Sequence, residues 1–218
     1  MKYLLCSLFL FASGLRAQEN ELAVKDGESL QLPKIKPASA MEYYTQWSGK
    51  KVYVSAEFDD AELFFVQRGP LKATEAAQLM KLALLCHGMV LEEDPEIKNG
   101  LILKKDPEAL KQVIKKAGDW PKITPPADKA PHQEALAVRA RQSLQYPKMS
   151  SIEATELIWN HARMRLIFSK DLNSIEFFFT QPGPLKHREV FELLRKRINF
   201  SGCRLIPAPS IPDTLLLV

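Results

Sequence analysis

The sequence predicts an α+β fold made of two tandem βαββαββ domains, and three observations lead there. Sliding the 218-residue chain along itself at one offset lays Ser29-Leu30-Gln31-Leu32-Pro33-Lys34 on Ser143-Leu144-Gln145-Tyr146-Pro147-Lys148, and Gly69-Pro70-Leu71-Lys72 on Gly183-Pro184-Leu185-Lys186. The register holds without a gap over 29–104 and 143–218, and it also pairs Glu42 with Glu156, Phe64 with Phe178, Gln67 with Gln181, Glu75 with Glu189 and Leu101 with Leu215. A register kept that long marks a duplicated structural unit. Within each copy, two segments have helical spacing and the others carry the branched, aromatic or alternating residues of strands. Finally, Gly88 and Gly202 stand where a helix needs a left-handed stop.

The elements follow in order, read on both copies together. Residues 29–35 form a short strand. Residues 38–48, with Met41, Tyr44 and Trp47 at helical spacing, form a helix whose partner is 152–162. Residues 51–55 and 165–169 are strands, followed by turns at Asp59-Asp60 and Asn173-Ser174. Strands 62–67 and 176–181 lead through Gly-Pro-Leu into helices 74–85 and 188–200, where Glu75 and Glu189 suit the first-turn dipole. A hairpin near 89–92 and 101–104, with Asn99-Gly100 as its turn, closes the first unit. The linker, 105–142, begins with the cap pair Asp106-Pro107 and a helix to about Lys116. Proline then dominates 120–132, which predicts an extended, flexible span letting the two copies engage a partner together. Residues 133–141 read either as helix or as an extension of the next strand.

Residues 1–17 read as a signal peptide: Lys2 precedes an apolar run from Tyr3 to Ala12, and small residues follow at Ser13, Gly14 and Ala17. Cleavage is expected after Ala17, with Gly14 as the second choice and an uncleaved anchor as the competing reading. The run is shorter than the roughly 20 residues a spanning helix needs, and no later segment reads as an integral membrane span. The localisation expected is therefore periplasmic or secreted. The net charge of +4 includes Lys2 and Arg16, so the remainder is near neutral and lacks the clustered basic face of a polyanion binder. A KH-like nucleic-acid reading fails for want of the Gly-x-x-Gly clamp.

Few residues suggest chemistry. The four histidines, His87, His132, His161 and His187, are far apart in sequence and lack partners at ligand spacing, so no metal and no cofactor is expected and each reads as a surface or half-buried side chain. The glycines form no phosphate loop. No enzyme is predicted. Cys86 and Cys203 form a possible disulfide, with buried free thiols as the alternative.

The segments that stand out are Leu63-Phe64-Phe65-Val66 and Phe177-Phe178-Phe179-Thr180. Side chains alternate across a strand, so bulky apolar groups point to both sheet faces, while helices in so small a domain cover one. The second face must meet the other copy or a separate protein. Leu63, Phe65, Phe177 and Phe179 are the residues expected to make that protein contact.

A strand, a helix ending at Ser48-Gly49-Lys50-Lys51, Val52-Tyr53-Val54-Ser55, a phenylalanine-rich strand, Gly-Pro-Leu, a helix with Glu75, Ala76 and Leu79, and a glycine-led hairpin together resemble the short N-terminal domain of secretins and of some TonB-dependent receptors. The resemblance covers both copies. It implies a periplasmic module at the entrance of an outer-membrane channel, contacting other subunits, inner-membrane components or a signalling protein. Neither plug nor barrel follows the second copy here, so what is implied is the module without the pore. The expected partners are envelope proteins, self-association included. The alternative is a cell-wall or small-ligand binder that uses the groove between the copies.

Overall fold

The computed structural model describes residues 21–95, 97, 99–119, 121–168, 172 and 176–218, with only the backbone of Lys129 and Phe177. The expected signal peptide and its cleavage positions lie outside the described residues, as does the turn at Asn173-Ser174. The fold is α+β, with six α-helices and several small sheets among the described residues.

The first copy runs β1 (Leu22–Val24), β2 (Ser29–Ile35), α1 (Pro37–Ser48), β3 (Lys51–Tyr53), β4 (Leu63–Arg68), β5 (Leu71–Lys72), α2 (Ala73–Cys86), β6 (Met89–Glu93) and β7 (Gly100–Lys105). Two helices, α3 (Pro107–Ala117) and α4 (Ala130–Glu134), follow. The second copy then runs β8 (Leu136–Val138), β9 (Ser143–Met149), α5 (Ser151–Ala162), β10 (Arg165–Phe168), β11 (Phe177–Pro182), β12 (Leu185–Lys186), α6 (His187–Phe200), β13 (Leu205–Pro207) and β14 (Thr214–Leu217).

The repeat thus begins one strand earlier than 29 and 143. Leu-Ala-Val stands at both 22–24 and 136–138, and these strands pair antiparallel with β5 and β12, two-residue strands that follow Gly-Pro. The rest of the topology also recurs. β2 pairs antiparallel with β4, and β9 with β11, each pair with a register shift near its start. β3 runs parallel to β7 with β6 on the far side, and β10, β14 and β13 repeat that arrangement. A Cβ on Gly69 would collide with the Lys25 carbonyl, and one on Gly183 with the Arg139 carbonyl, so only glycine fits both tight crossings. Backbone shape persists even where residues differ: Asn99 and Asp213 both adopt positive φ, at 62° and 55°.

The linker departs from the flexible span expected of it. Asp106 caps α3 by accepting from the Glu108 and Ala109 amides, and Leu110, Val113, Ile114 and Ala117 turn onto the first core. α3 lies against both α2 and β13, bridging the copies. Ile123 enters the second core, and Arg195 Nη2 donates to the Pro121 carbonyl at 2.6 Å. Residues 121–126 carry neither helix nor strand. A 3-10 turn at Ala127–Lys129 and α4 follow, with Pro131 in the first turn of α4, where its missing N–H costs nothing. Ile123 and the hydrogen bonds made at Pro121, His132 and Gln133 pin this segment down, and proline content alone does not report them.

The two copies pack together and share their cores. Ile167, Ile206, Ile211 and Leu216 of the second copy belong to the first core, while Phe64 and Val66 of the first belong to the second.

Candidate interaction surfaces

The phenylalanine strand does point both ways, but the outward set is the opposite of the one expected. Leu63 and Phe65 are completely buried beneath the helices of their own copy, Phe65 with its ring 6.0 Å from that of Trp47. Phe179 is buried in the second core in the same way. Those three are core residues and not a contact surface. The side chain of Phe177 lies outside the described residues, and its backbone pairs with Met149. The bulge near the start of the strand fixes which parity faces inward, and parity is what the sequence pattern of four consecutive bulky residues leaves open.

The outward residues of the first copy, Phe64 and Val66, make the joint between the copies. β4 lies against α5 and β10, and the Phe64 ring meets Phe168 edge-on at 5.3 Å. Gln67, 1% exposed, donates from Nε2 to the Leu166 carbonyl at 3.1 Å. Arg165 fixes the orientation: Nε donates to Glu75 Oε1, Nη1 to the Arg68 carbonyl and Nη2 to the Pro70 carbonyl, each at 2.8 Å, with the guanidinium 5.1 Å from the Trp159 ring centre. A buried guanidinium with its whole fork engaged loses little by leaving water, whereas one stripped of a partner loses much. The shared glutamates have diverged accordingly. Glu189 caps its own helix by accepting from the Lys186 amide at 2.7 Å, while Glu75 crosses the joint.

His87 completes this side. It is buried, its Nε2 lies 3.3 Å from the Phe64 amide and its Nδ1 2.7 Å from the Ala83 carbonyl, so the neutral tautomer with the proton on Nδ1 serves both contacts.

The matching face of the second copy is open. Phe178, equivalent to Phe64, is 55% exposed, and Thr180, equivalent to Val66, is exposed as well. Arg197 Nε donates to the Phe178 carbonyl at 2.8 Å. Phe200, three residues further along α6 and so on the same side of that helix, is 84% exposed.

The cysteines do not pair. Cys86 is buried in the first core and Cys203 in the second, both as free thiols, because duplication put them at non-equivalent positions in separate cores. Burial pushes the Cys86 thiol up to about 12 and that of Cys203 upward too, away from thiolate chemistry.

Three of the four histidines converge, against the expectation of scattered side chains. His132 on α4 packs against His187 with the rings tilted by 42° and their centres 4.0 Å apart, and His187 lies 4.9 Å from His161. His132 Nε2 lies 2.7 Å from the Asn160 carbonyl, and Gln133 Nε2 donates to the His161 carbonyl, also at 2.7 Å. The Nδ1 atoms of His161 and His187 and the Oε1 of Gln133 are buried without a partner among the described residues. Burial first, then His187, His132 and Arg163, push His161 down to about 4; burial lowers His187 likewise. Packing of α5 on α6 brings His161 to His187, the fold of α4 back onto both adds His132, and no spacing along the chain announces either. No group of His, Cys, Asp or Glu among the described residues is placed to hold a metal ion.

A groove of about 400 Å³ does run between the copies, from Gln78, Lys81 and Leu85 to Pro209 and Ile211. Its walls are mostly aliphatic, a poor match for a sugar polymer. No helix among the described residues is long and apolar enough to cross a membrane. Compared with family models, curated proteins and solved structures, the chain has no match.

Proposed function

We propose that this chain is an exported, non-enzymatic protein-interaction module of the cell envelope, which its resemblance to secretin-type N-terminal domains associates with a secretion or outer-membrane transport system. The observation that carries the reading is the contrast between twin faces. The β4 face of the first copy is a protein–protein contact within the chain, and its equivalent on β11 presents an aromatic side chain to solvent. Export rests on the N-terminal residues: Lys2, the apolar run and the small residues up to Ala17.

Two measurements test this. N-terminal sequencing of the protein recovered from cells should find a start at Gln18, or at Leu15 if Gly14 is used; a start at Met1 in a cytoplasmic fraction would end the export reading. A photo-crosslinking residue at position 178 should capture protein in the envelope fraction, and one at the exposed Lys111 should not. Equal capture from both positions, or none, would remove β11 as a binding face.

A further inference from the structure

The joint within the chain has a donor side and an acceptor side, and each has an unoccupied twin. On the donor side, Phe64, Gln67 and Glu75 recur as Phe178, Gln181 and Glu189, unchanged in type. On the acceptor side, Phe64 rests between α5 and β10, in one core with Leu166 and against the Phe168 ring. The equivalent place on the first copy is an open groove of about 610 Å³ between α1 and β3, with Met41, Thr45, Gln46, Val52 and Val54 among its walls. Lys51, exposed beside it, stands where Arg165 stands in the second copy.

Resting on the protein-interaction reading above, we infer that the β11 face around Phe178 docks into the α1–β3 groove of a second copy of this chain, continuing the internal joint from molecule to molecule. Such a contact is heterologous: the two faces differ, so each molecule keeps one of each free and association proceeds head to tail, as a filament or a closed ring. In this contact Phe178 fills the groove as Phe64 does, the Gln181 amide reaches the free β3 edge at the Val52 carbonyl, and Lys51 faces Glu189.

The contact between molecules is smaller than the one within the chain. In the internal joint the segment Pro209–Ile211 also lies beside Lys81 and Val90. The places equivalent to those two residues on the second copy are Arg195 and Arg204, and the linker already covers them: Arg195 donates to the Pro121 carbonyl and Arg204 Nη1 to the Gly118 carbonyl at 3.1 Å. Thr180 in place of Val66 and Val54 in place of Phe168 also remove apolar surface. Association is therefore reversible and concentration-dependent.

Sedimentation velocity on the purified chain over a wide concentration range tests this. The wild type should grow beyond a dimer as concentration rises. Phe178→Asp, which spoils the donor face, and Thr45→Arg, which spoils the groove, should each weaken association by roughly 30-fold or more, the size of an aromatic hot spot. Mixed one to one, the two variants should pair into a dimer that grows no further, because each supplies the face the other lacks. Phe178→Ser and Gln46→Arg repeat the experiment should thermal melting show either first variant misfolded. A wild type that stays monomeric, association indifferent to both changes, or variants that fail to complement would each overturn the proposal. Crosslinking from position 178 separates this from the broader reading. Capture of a second copy supports both, and capture of a different envelope protein by a monomeric chain overturns self-association and leaves the broader reading intact.

Discussion

The two copies share a backbone and have been put to different uses, and their second helices show it most directly. α2 buries nine of its fourteen residues, from Ala73 to Cys86, because its own sheets cover one side and the second copy and α3 cover the others. α6 buries only Val190, Phe191, Leu194, Arg195 and Ile198, and faces solvent with Arg188, Lys196 and Arg197. A helix apolar all round must be sandwiched, and one with a single apolar stripe has a free face. Duplication supplied two equivalent faces, and packing the copies head to tail consumed one of them. The difference between the halves is thus a record of which surfaces the joint uses.

The sharpest way to break this comparison is at Arg165 and its twin. Arg165→Met removes three buried hydrogen bonds and leaves Glu75 and two carbonyls facing an apolar chain. It should cost about 3 kcal/mol in urea unfolding. Lys51→Met, at the equivalent exposed position, should change stability by less than about 0.5 kcal/mol. Equal effects would mean the copies do not depend on this joint.

Next comes the aromatic pair. Phe64→Ala empties a packed site against Phe168 and should cost about 3 kcal/mol, whereas Phe178→Ala, on the open face, should cost under about 1 kcal/mol. Comparable losses would show that the β11 face is covered within the chain.

How much of this was legible follows from what each signal measures. Element order was readable because two copies vote on every position, and the boundaries of α1, α2, α5 and α6 fall within one residue of those read from the spacing. β1 was not read, and β8 only as one of two options for 133–141, although Leu-Ala-Val is repeated verbatim, since three residues are too few to show a period. That the phenylalanine strand needs a second cover was legible; which parity it turns outward was not, because a bulge at Phe177/Phe179 and a register shift between Leu32 and Ile35, opposite Leu63 and Phe65, decide it. The uneven apolar content of α2 and α6 was a signal for the joint that sequence alone contains. The histidine cluster had none, because a linker folding back onto its own domain is a tertiary event.

That cluster gives a pH prediction confined to the second half. Burial, and after it the charges of His187, His132 and Arg163, holds His161 at about 4 in the fold, below the ordinary 6.5 it regains on unfolding. The unfolded chain therefore binds more protons below 6.5, and stability present above that value is lost as pH falls from about 6.5 to about 4. The loss should reach about 3 kcal/mol by pH 4, and amide exchange should show α4 and α6 opening before α1 and α2. His161→Phe should flatten the slope. A profile unchanged by that substitution would place the pH sensitivity elsewhere.

The smallest effect expected is none at all, and it bears on whether the halves hold together without a covalent tie. Cys86 and Cys203 are free and lie in separate cores, so adding a reductant should leave the melting temperature where it was, and a thiol reagent should label neither until the chain unfolds. Of the two, Cys203 should react first as denaturant rises. The second half lacks the cover that α2 receives on its outer side, so its core opens at lower denaturant. Simultaneous labelling of both would mean that the shared cores make the two halves one cooperative unit, tightening the link between them beyond what their unequal helices suggest.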